Sequence, residues 1–319
     1  IDELKDFVSI PNDALNADDI DQNLRWLKNK FGQRGFNTSI LPTENLPLFF
    51  AAFPMDDDKP TVLFYMHLDG QSVDASKWDQ ADPYKTVLKS KDGDGWKTEN
   101  FEELNDDINY DWRLFGRSTS DDKGPIVMFL NAIDLLKKDG KELAFNVKVI
   151  LDSEEEKSSK PLPKAVRTYK ELLMADFLVI NDGPVHPSGK ATVVYGCRGI
   201  TTLSLTSFGP IKPQHSGHYG NYAPNPGFQL AQVLASMKDT DGRVTIPGYY
   251  DGITLSESAQ QIIKSVPDSD EEISKKLQFK TAEKVGAFYQ EALQYPSLNI
   301  RGLGSGWIGE KARTIVPAT

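Results

Sequence analysis

Four small groups of side chains in this chain could do acid–base or metal chemistry. His67-Leu68-Asp69 closes an apolar run, and Asp121-Asp122 stands at the mouth of an apolar periodic segment. Glu154-Glu155-Glu156 follows a β-branched run, and Asp182 follows another. Imidazole and carboxylate are the donors left to a divalent cation when thiolates are absent. Cys197 is the single cysteine, which excludes an internal disulfide and a thiolate-rich metal site. Each group alone has a plainer reading. His-x-Asp is common in surface turns, Asp121 sits where a helix N-cap belongs, and Asp122 suits the positive end of the helix dipole. Their shared position changes the balance, because one sheet edge carrying an imidazole and this many carboxylates would repel itself unless cations neutralised it.

The elements that must position these groups follow from periodicity. Residues 61–66 are β-branched and aromatic almost without interruption, the pattern of a strand buried on both faces inside a parallel sheet. Ligands of open α/β sheets collect beyond the carboxyl ends of strands, which is where His67 is delivered. Residues i and i+2 of an extended chain point the same way, so Asp69 could orient the His67 ring. A helix over residues 17–31 carries Ile20, Leu24, Leu27 and Phe31 behind Asp18 and Asp19. Strands are expected at 36–41 and 48–53. Residues 74–110 read as a long polar loop with a hairpin around 84–89. A helix over 121–138, a strand at 145–151, a helix over 162–174 and a strand at 177–180 complete the series. Strand and helix alternating at these lengths predict right-handed crossovers, hence an α/β fold with a mainly parallel sheet and helices on both faces. Beyond Tyr195 the pattern changes to an alternating strand at 199–206, a helix carrying Phe228, Leu230, Val233, Leu234 and Met237, polar helices as far as Gln290, and strands near 297–301. At 319 residues the chain exceeds one ordinary core. The expected division is a catalytic domain at 1–196 and a smaller α+β lid and dimerisation domain at 197–319.

Composition narrows the partners. The 36 basic and 46 acidic residues leave a net charge of −10, which offers no footprint for nucleic acid or an anionic membrane. No apolar run approaches the roughly 20 residues that span a bilayer, and no basic-then-apolar leader is present. The expected compartment is the cytoplasm. Because the chain begins at Ile1, a leader could have been removed, and a periplasmic or secreted location stays open.

Taken together, the motifs resemble those of the co-catalytic zinc metallopeptidases that include acetylornithine deacetylase, succinyl-diaminopimelate desuccinylase, aminoacylase, glutamate carboxypeptidase and the carnosinase-type dipeptidases. The resemblance rests on His67-Leu68-Asp69, on the run from Gly116 through Arg117, Ser118, Thr119, Ser120, Asp121, Asp122 and Lys123 to Gly124, on Asp152 to Glu156, on Asp182, and on His215-Ser216-Gly217 with Asn225-Pro226, in family order. It implies two Zn²⁺ per protomer, with Mn²⁺ or Co²⁺ as alternatives. His67 and Asp182 would hold one ion, Asp121 would bridge, and Glu156 would ligate the second. Glu155 would be the general base acting on a metal-bridging water, Asp69 would orient His67, and His215 would help to stabilise the oxyanion, often across a homodimer interface built by the lid domain. The implied substrate is a dipeptide or short peptide. An N-acyl amino acid deacylase is the alternative within the family, and a non-catalytic metal-binding or interaction module the alternative outside catalysis. A dinuclear phosphoesterase would want more histidines and a basic or Gly-rich cradle, which the chain lacks.

Departures from the family pattern are specific. Ser118 stands where the family has Gly, and Glu-Gly-x-Glu-Glu-x-Gly-Ser becomes Asp152-Ser153-Glu154-Glu155-Glu156-Lys157-Ser158-Ser159. Spacing selects Glu155 and Glu156 as the base and ligand, with Glu154 and Glu155 the other choice. His186 and His218 have no counterpart and are expected at the surface or around the site. Trp78, Trp96 and Trp112 either line a pocket or cover a core edge. Family members continue for well over a hundred residues, through final strands of the catalytic sheet and a further ligating histidine. On that comparison the second metal position here is expected to be incomplete, with at most one tightly held zinc.

Overall fold

The structure is a computed structural model, and it describes residues 1–105, 108–183, 185–194 and 196–319. The chain divides into two compact units, Ile1–Pro184 and Val185–Thr319. The change of pattern expected after Tyr195 falls at a residue outside those described.

The first unit runs α1 (Asp2–Val8), α2 (Ala17–Gln33), β1 (Asn37–Leu41), β2 (Leu48–Ala52), β3 (Thr61–His67), β4 (Val87–Asp92), β5 (Gly95–Glu99), β6 (Arg113–Phe115), α3 (Lys123–Lys138), β7 (Asn146–Asp152), α4 (Leu162–Thr168), α5 (Lys170–Leu173) and β8 (Phe177–Ile180). Asn16 caps α2 by accepting from the Asp18 N–H, and Ile20, Leu24, Leu27 and Phe31 form its buried stripe as their spacing requires. Five strands make the main sheet in the order β1-β2-β7-β3-β8. β3 runs parallel to both β7 and β8, whereas β2 pairs antiparallel with β1 and β7. The sheet is therefore mixed rather than mainly parallel. Only residues 42–47 connect β1 to β2, and so short a link allows an antiparallel pair but not a crossover. Helices cover both faces, as expected. Phe7, Leu27, Phe31, Ile126 and Leu130 pack on Phe49, Ala51, Met66, Val149 and Leu151. On the opposite face Leu162, Ala165 and Leu173 pack on Leu48, Phe50, Leu63 and Ile150. β8 ends the sheet, and its four apolar side chains are exposed.

Several boundaries differ from expectation. The hairpin lies at β4 and β5 rather than at 84–89, with β6 as its third strand. The helix expected over 162–174 is interrupted at Tyr169. α3 begins at Lys123, and Asp122, not Asp121, holds its N-cap position without making a side-chain cap bond.

The second unit contains β9 (Gln214–His215), α6 (Ser216–Tyr219), α7 (Pro226–Ser236), α8 (Glu257–Ser265), α9 (Asp270–Leu277), α10 (Tyr289–Ala292) and β10 (Ile315–Val316). Among its described residues the only strand pairing is β9 with β10. The strands expected at 199–206 and 297–301 do not form. An alternating segment becomes a strand only beside a neighbour that accepts its backbone hydrogen bonds, and among the described residues neither segment has one. Ile200 and Leu203 are accordingly exposed. Among the described residues no helix is long and apolar enough to cross a membrane.

Candidate metal centre

Strand register brings three of the four groups, those of His67, Glu154 to Glu156 and Asp182, to one edge. His67 lies opposite Asp152 across the β3–β7 pair, and Tyr65 lies opposite Ile180 across the β3–β8 pair. Two residues beyond Tyr65 and Ile180 come His67 and Asp182. The His67 ring is fully buried, with Nε2 2.7 Å from Asp121 Oδ1 and 3.9 Å from Asp182 Oδ2. One donor atom from each of His67, Glu155 and Asp182 lies within 4.8 Å of the other two.

Asp69 is the hinge of the arrangement. Also fully buried, it places Oδ1 3.3 Å from His67 Nδ1. The same carboxylate accepts the Glu155 N–H at 3.0 Å and the Glu156 N–H at 3.1 Å. It therefore fixes the imidazole and the backbone of the glutamate pair at once. Asp152 holds the base of that loop, accepting from Tyr65 Oη at 3.2 Å, Ser159 Oγ at 2.6 Å and the Glu154 N–H at 3.1 Å. The three successive glutamates then separate. Glu154 is buried and accepts from Asn45 Nδ2 and the Leu46 N–H. Glu155 faces His67 and Asp182, and Glu156 accepts from Gln71 Nε2.

Asp122 is the contributor that sequence reasoning missed. Its Oδ2 accepts the His67 N–H at 3.1 Å, which is why it makes no cap bond to α3. Its Oδ1 is buried with no hydrogen-bond partner among the described residues. The sequence grouped it with Asp121 among the acidic candidates, but gave it no individual part beyond a favourable charge at a helix start. Lys123 was likewise unmarked: fully buried, it donates Nζ to the carbonyls of Phe7 and Ile10, and burial pushes its pKa well below the ordinary lysine value.

Electrostatics agree with a site built for cations. Burial by itself would lower the His67 pKa, but the Asp69 hydrogen bond and the charges of Asp122, Asp69 and Asp121 outweigh it and raise it to about 10. Burial, together with the Asp182 and Asp121 charges, raises Asp122 to about 8 against the opposing pull of His67. Glu155 is raised by burial first and then by Asp182, Glu156 and Asp69, with His67 opposing. The His67 imidazole with the converging Glu155 and Asp182 carboxylates, and Asp121 against the same ring, is a nitrogen and oxygen donor set that fits a borderline or hard divalent cation.

The remaining candidates belong to the second unit or to other segments of the first. His215, in β9 of the second unit, is exposed and caps α6 by accepting the Gly217 N–H at its Nδ1. His218 places its ring 5.0 Å from that of His215. His186 bonds Asp268 and Ser188 within the second unit. Trp78 lies against the Arg117 guanidinium, and Trp96 packs edge-on to Phe115.

Of the three serines standing where the family pattern has Gly, Ser118, Ser153 and Ser158, the first and last adopt left-handed backbone with φ of +61° and +78°. Ser158 is exposed, and its side chain makes no hydrogen bond among the described residues. Replacing it with Gly relieves the Cβ clash and is expected to stabilise the chain by about 0.5–1 kcal/mol. A thermal melt of Ser158→Gly at or below the parent midpoint contradicts that.

An α/β sheet whose parallel strands deliver an imidazole and several carboxylates to one edge is the kind of sheet edge at which a divalent cation can be held. The chain belongs to peptidase family M20/M25/M40, whose profile matches residues 63–306. It is 30% identical over 280 residues to the Cys-Gly metallodipeptidase of Candida albicans, covering 85% of this chain and 53% of the relative. To the Beta-Ala-His dipeptidase of Mus musculus it is 29% identical over 279 residues, covering 85% and 52%. The chain thus spans about half the length of these curated relatives. The M20 family metallo-carboxypeptidase Sso-CP2 from Sulfolobus solfataricus superposes with a TM-score of 0.71 at 27% identity, over 99% of this chain and 68% of that one.

Proposed function

We propose that this chain carries residues of the metal centre of a peptidase acting on dipeptides or short peptides, a centre that in the whole protein would hold two divalent cations, zinc first among them. The observation that carries the reading is the convergence of His67, Glu155 and Asp182, with Asp121 against the same imidazole. The dipeptidase relatives support the substrate class. His67 and Asp182 would hold one ion, Asp121 would bridge, and Glu156 would release Gln71 to join the second. Bound ions would polarise the scissile carbonyl and acidify a coordinated water. Glu155 would take the proton from the attacking water and return it to the leaving amine, a task its raised pKa suits. Asp69 would keep the His67 ring turned so that Nε2 faces the ions. Oxyanion stabilisation by His215 and a homodimer through the second unit are carried by the family likeness.

The test is hydrolysis by the full chain with added Zn²⁺ of a panel of dipeptides set against N-acetyl amino acids. Cleavage of dipeptides, abolished by chelation, is expected. Preferential N-acyl cleavage would redirect the reading to the deacylases, and metal binding with no turnover would leave the non-catalytic module.

Protons and cations should compete at this edge. A histidine raised from 6.5 to about 10 contributes stability that is full below pH 6.5 and lost as pH climbs through 10. An aspartate raised from 3.8 to about 8 contributes stability that is full below 3.8 and lost through 8. Both make the metal-free site less stable as pH rises, whereas cations need the deprotonated donors. The increase in Tm on adding Zn²⁺ is therefore expected to be larger at pH 8 than at pH 6. An equal or smaller increase at pH 8 contradicts this.

A further inference from the structure

Ser118 occupies a backbone position that its own Cβ disfavours, with φ +61°. Its hydroxyl is engaged in compensation. Asn12, fully buried, donates Nδ2 to Ser118 Oγ at 3.0 Å, and Ser118 Oγ donates back to Asn12 Oδ1 at 3.4 Å. The same Nδ2 donates to the Leu68 carbonyl at 2.8 Å, and the Asn12 carbonyl accepts the Gly70 N–H at 2.8 Å. Asn12 therefore grips the chain on both sides of Asp69 and ties it to the loop that leads to Asp121. Gly70 makes the room: a Cβ there would lie 2.3 Å from Ser118 Oγ and 3.0 Å from the Asn12 amide. The segment bearing Asn12 is itself held, by Lys123 on the Phe7 and Ile10 carbonyls and by Asn23 Nδ2 on the Pro11 carbonyl.

We propose that Ser118 and Asn12 form a latch that sets the position of Asp121 against His67 and thereby the affinity of the site for divalent cations. Both are positioning residues; neither is a ligand. The inference rests on the metal-centre reading above. His67 and Asp121 are 54 residues apart in sequence, and their loops meet through few contacts: the 2.7 Å pair itself, the Asp122 bond to the His67 N–H, and this latch. Glycine at 118 would relax the backbone and free the loop, so stability and cation affinity should part company. A side chain that merely fills space would lower both together.

The experiment is a Co²⁺ titration of the full chain, following the ligand-field spectrum against a competing chelator, for the parent, Ser118→Gly, Ser118→Ala and the double variant Asn12→Ala with Ser118→Ala. Expected are a roughly 10- to 100-fold loss of Co²⁺ affinity in both single variants, a metal-free Tm for Ser118→Gly at or near the parent value, and no further loss in the double variant. Single variants that bind Co²⁺ within about twofold of the parent overturn the latch while the metal centre stands. So does a Ser118→Gly that loses Tm and affinity in parallel. A parent that binds no Co²⁺ overturns the metal centre and the latch together.

Discussion

Glu155→Gln is expected to lower peptide hydrolysis by about 10²- to 10⁴-fold while the cation content stays that of the parent. The amide keeps the size and contacts of the side chain but cannot accept the proton of the attacking water. Glu155 alone of the three consecutive glutamates shares a cluster with His67 and Asp182 among the described residues. The matched control is Glu154→Gln, because the Glu154 carboxylate is spent on Asn45 and the Leu46 N–H. It is expected to keep turnover within about threefold. Activity surviving in Glu155→Gln and vanishing in Glu154→Gln would move the base by one residue and refute the assignment.

Asp69→Ala should be the most damaging single change to the site as a structure. It strips two part-buried N–H groups, those of Glu155 and Glu156, of their acceptor and leaves the His67 ring without its Oδ1 neighbour. Unpaired donors, at about 1–3 kcal/mol each when buried, suggest a loss of about 2–4 kcal/mol. At this domain size that is a fall in Tm of roughly 4–16 °C. Cation affinity should fall about 10- to 100-fold as the ring loses its orientation. Asp69→Asn separates the two effects. It keeps the volume and one acceptor, so it should recover part of the Tm but little of the affinity. A loss of Tm with unchanged affinity would make Asp69 a structural residue only.

Much of the site was legible in the amino-acid order because its donors sit at the ends of strands that periodicity marks clearly. The run ending at His67, the run ending at Asp152 and the run ending at Ile180 all form the strands they suggest, and parallel register does the rest. What could not be read is what depends on partners distant in sequence. Asp122 looked like a first-turn charge behind an Asp121 cap because nothing local reveals that the His67 N–H lies beside it. Asn12 and Lys123 gave no signal, since a buried polar residue is recognisable only once its acceptors are known. Residues 199–206 have the alternation of a strand and, among the described residues, no neighbour to pair with, so pattern alone overstated the second unit. The antiparallel β1 and β2 were recognisable as strands, but their direction within the sheet was not.

Everything turns on whether these groups gather around a cation. The direct measurement is anomalous diffraction at the zinc edge from crystals of the full chain grown with Zn²⁺. The account predicts a peak about 2.0–2.1 Å from His67 Nε2, within reach of the Asp121 and Asp182 carboxylates. Well-ordered crystals with no peak at that imidazole, or with zinc only on surface histidines such as His215 or His218, would contradict it.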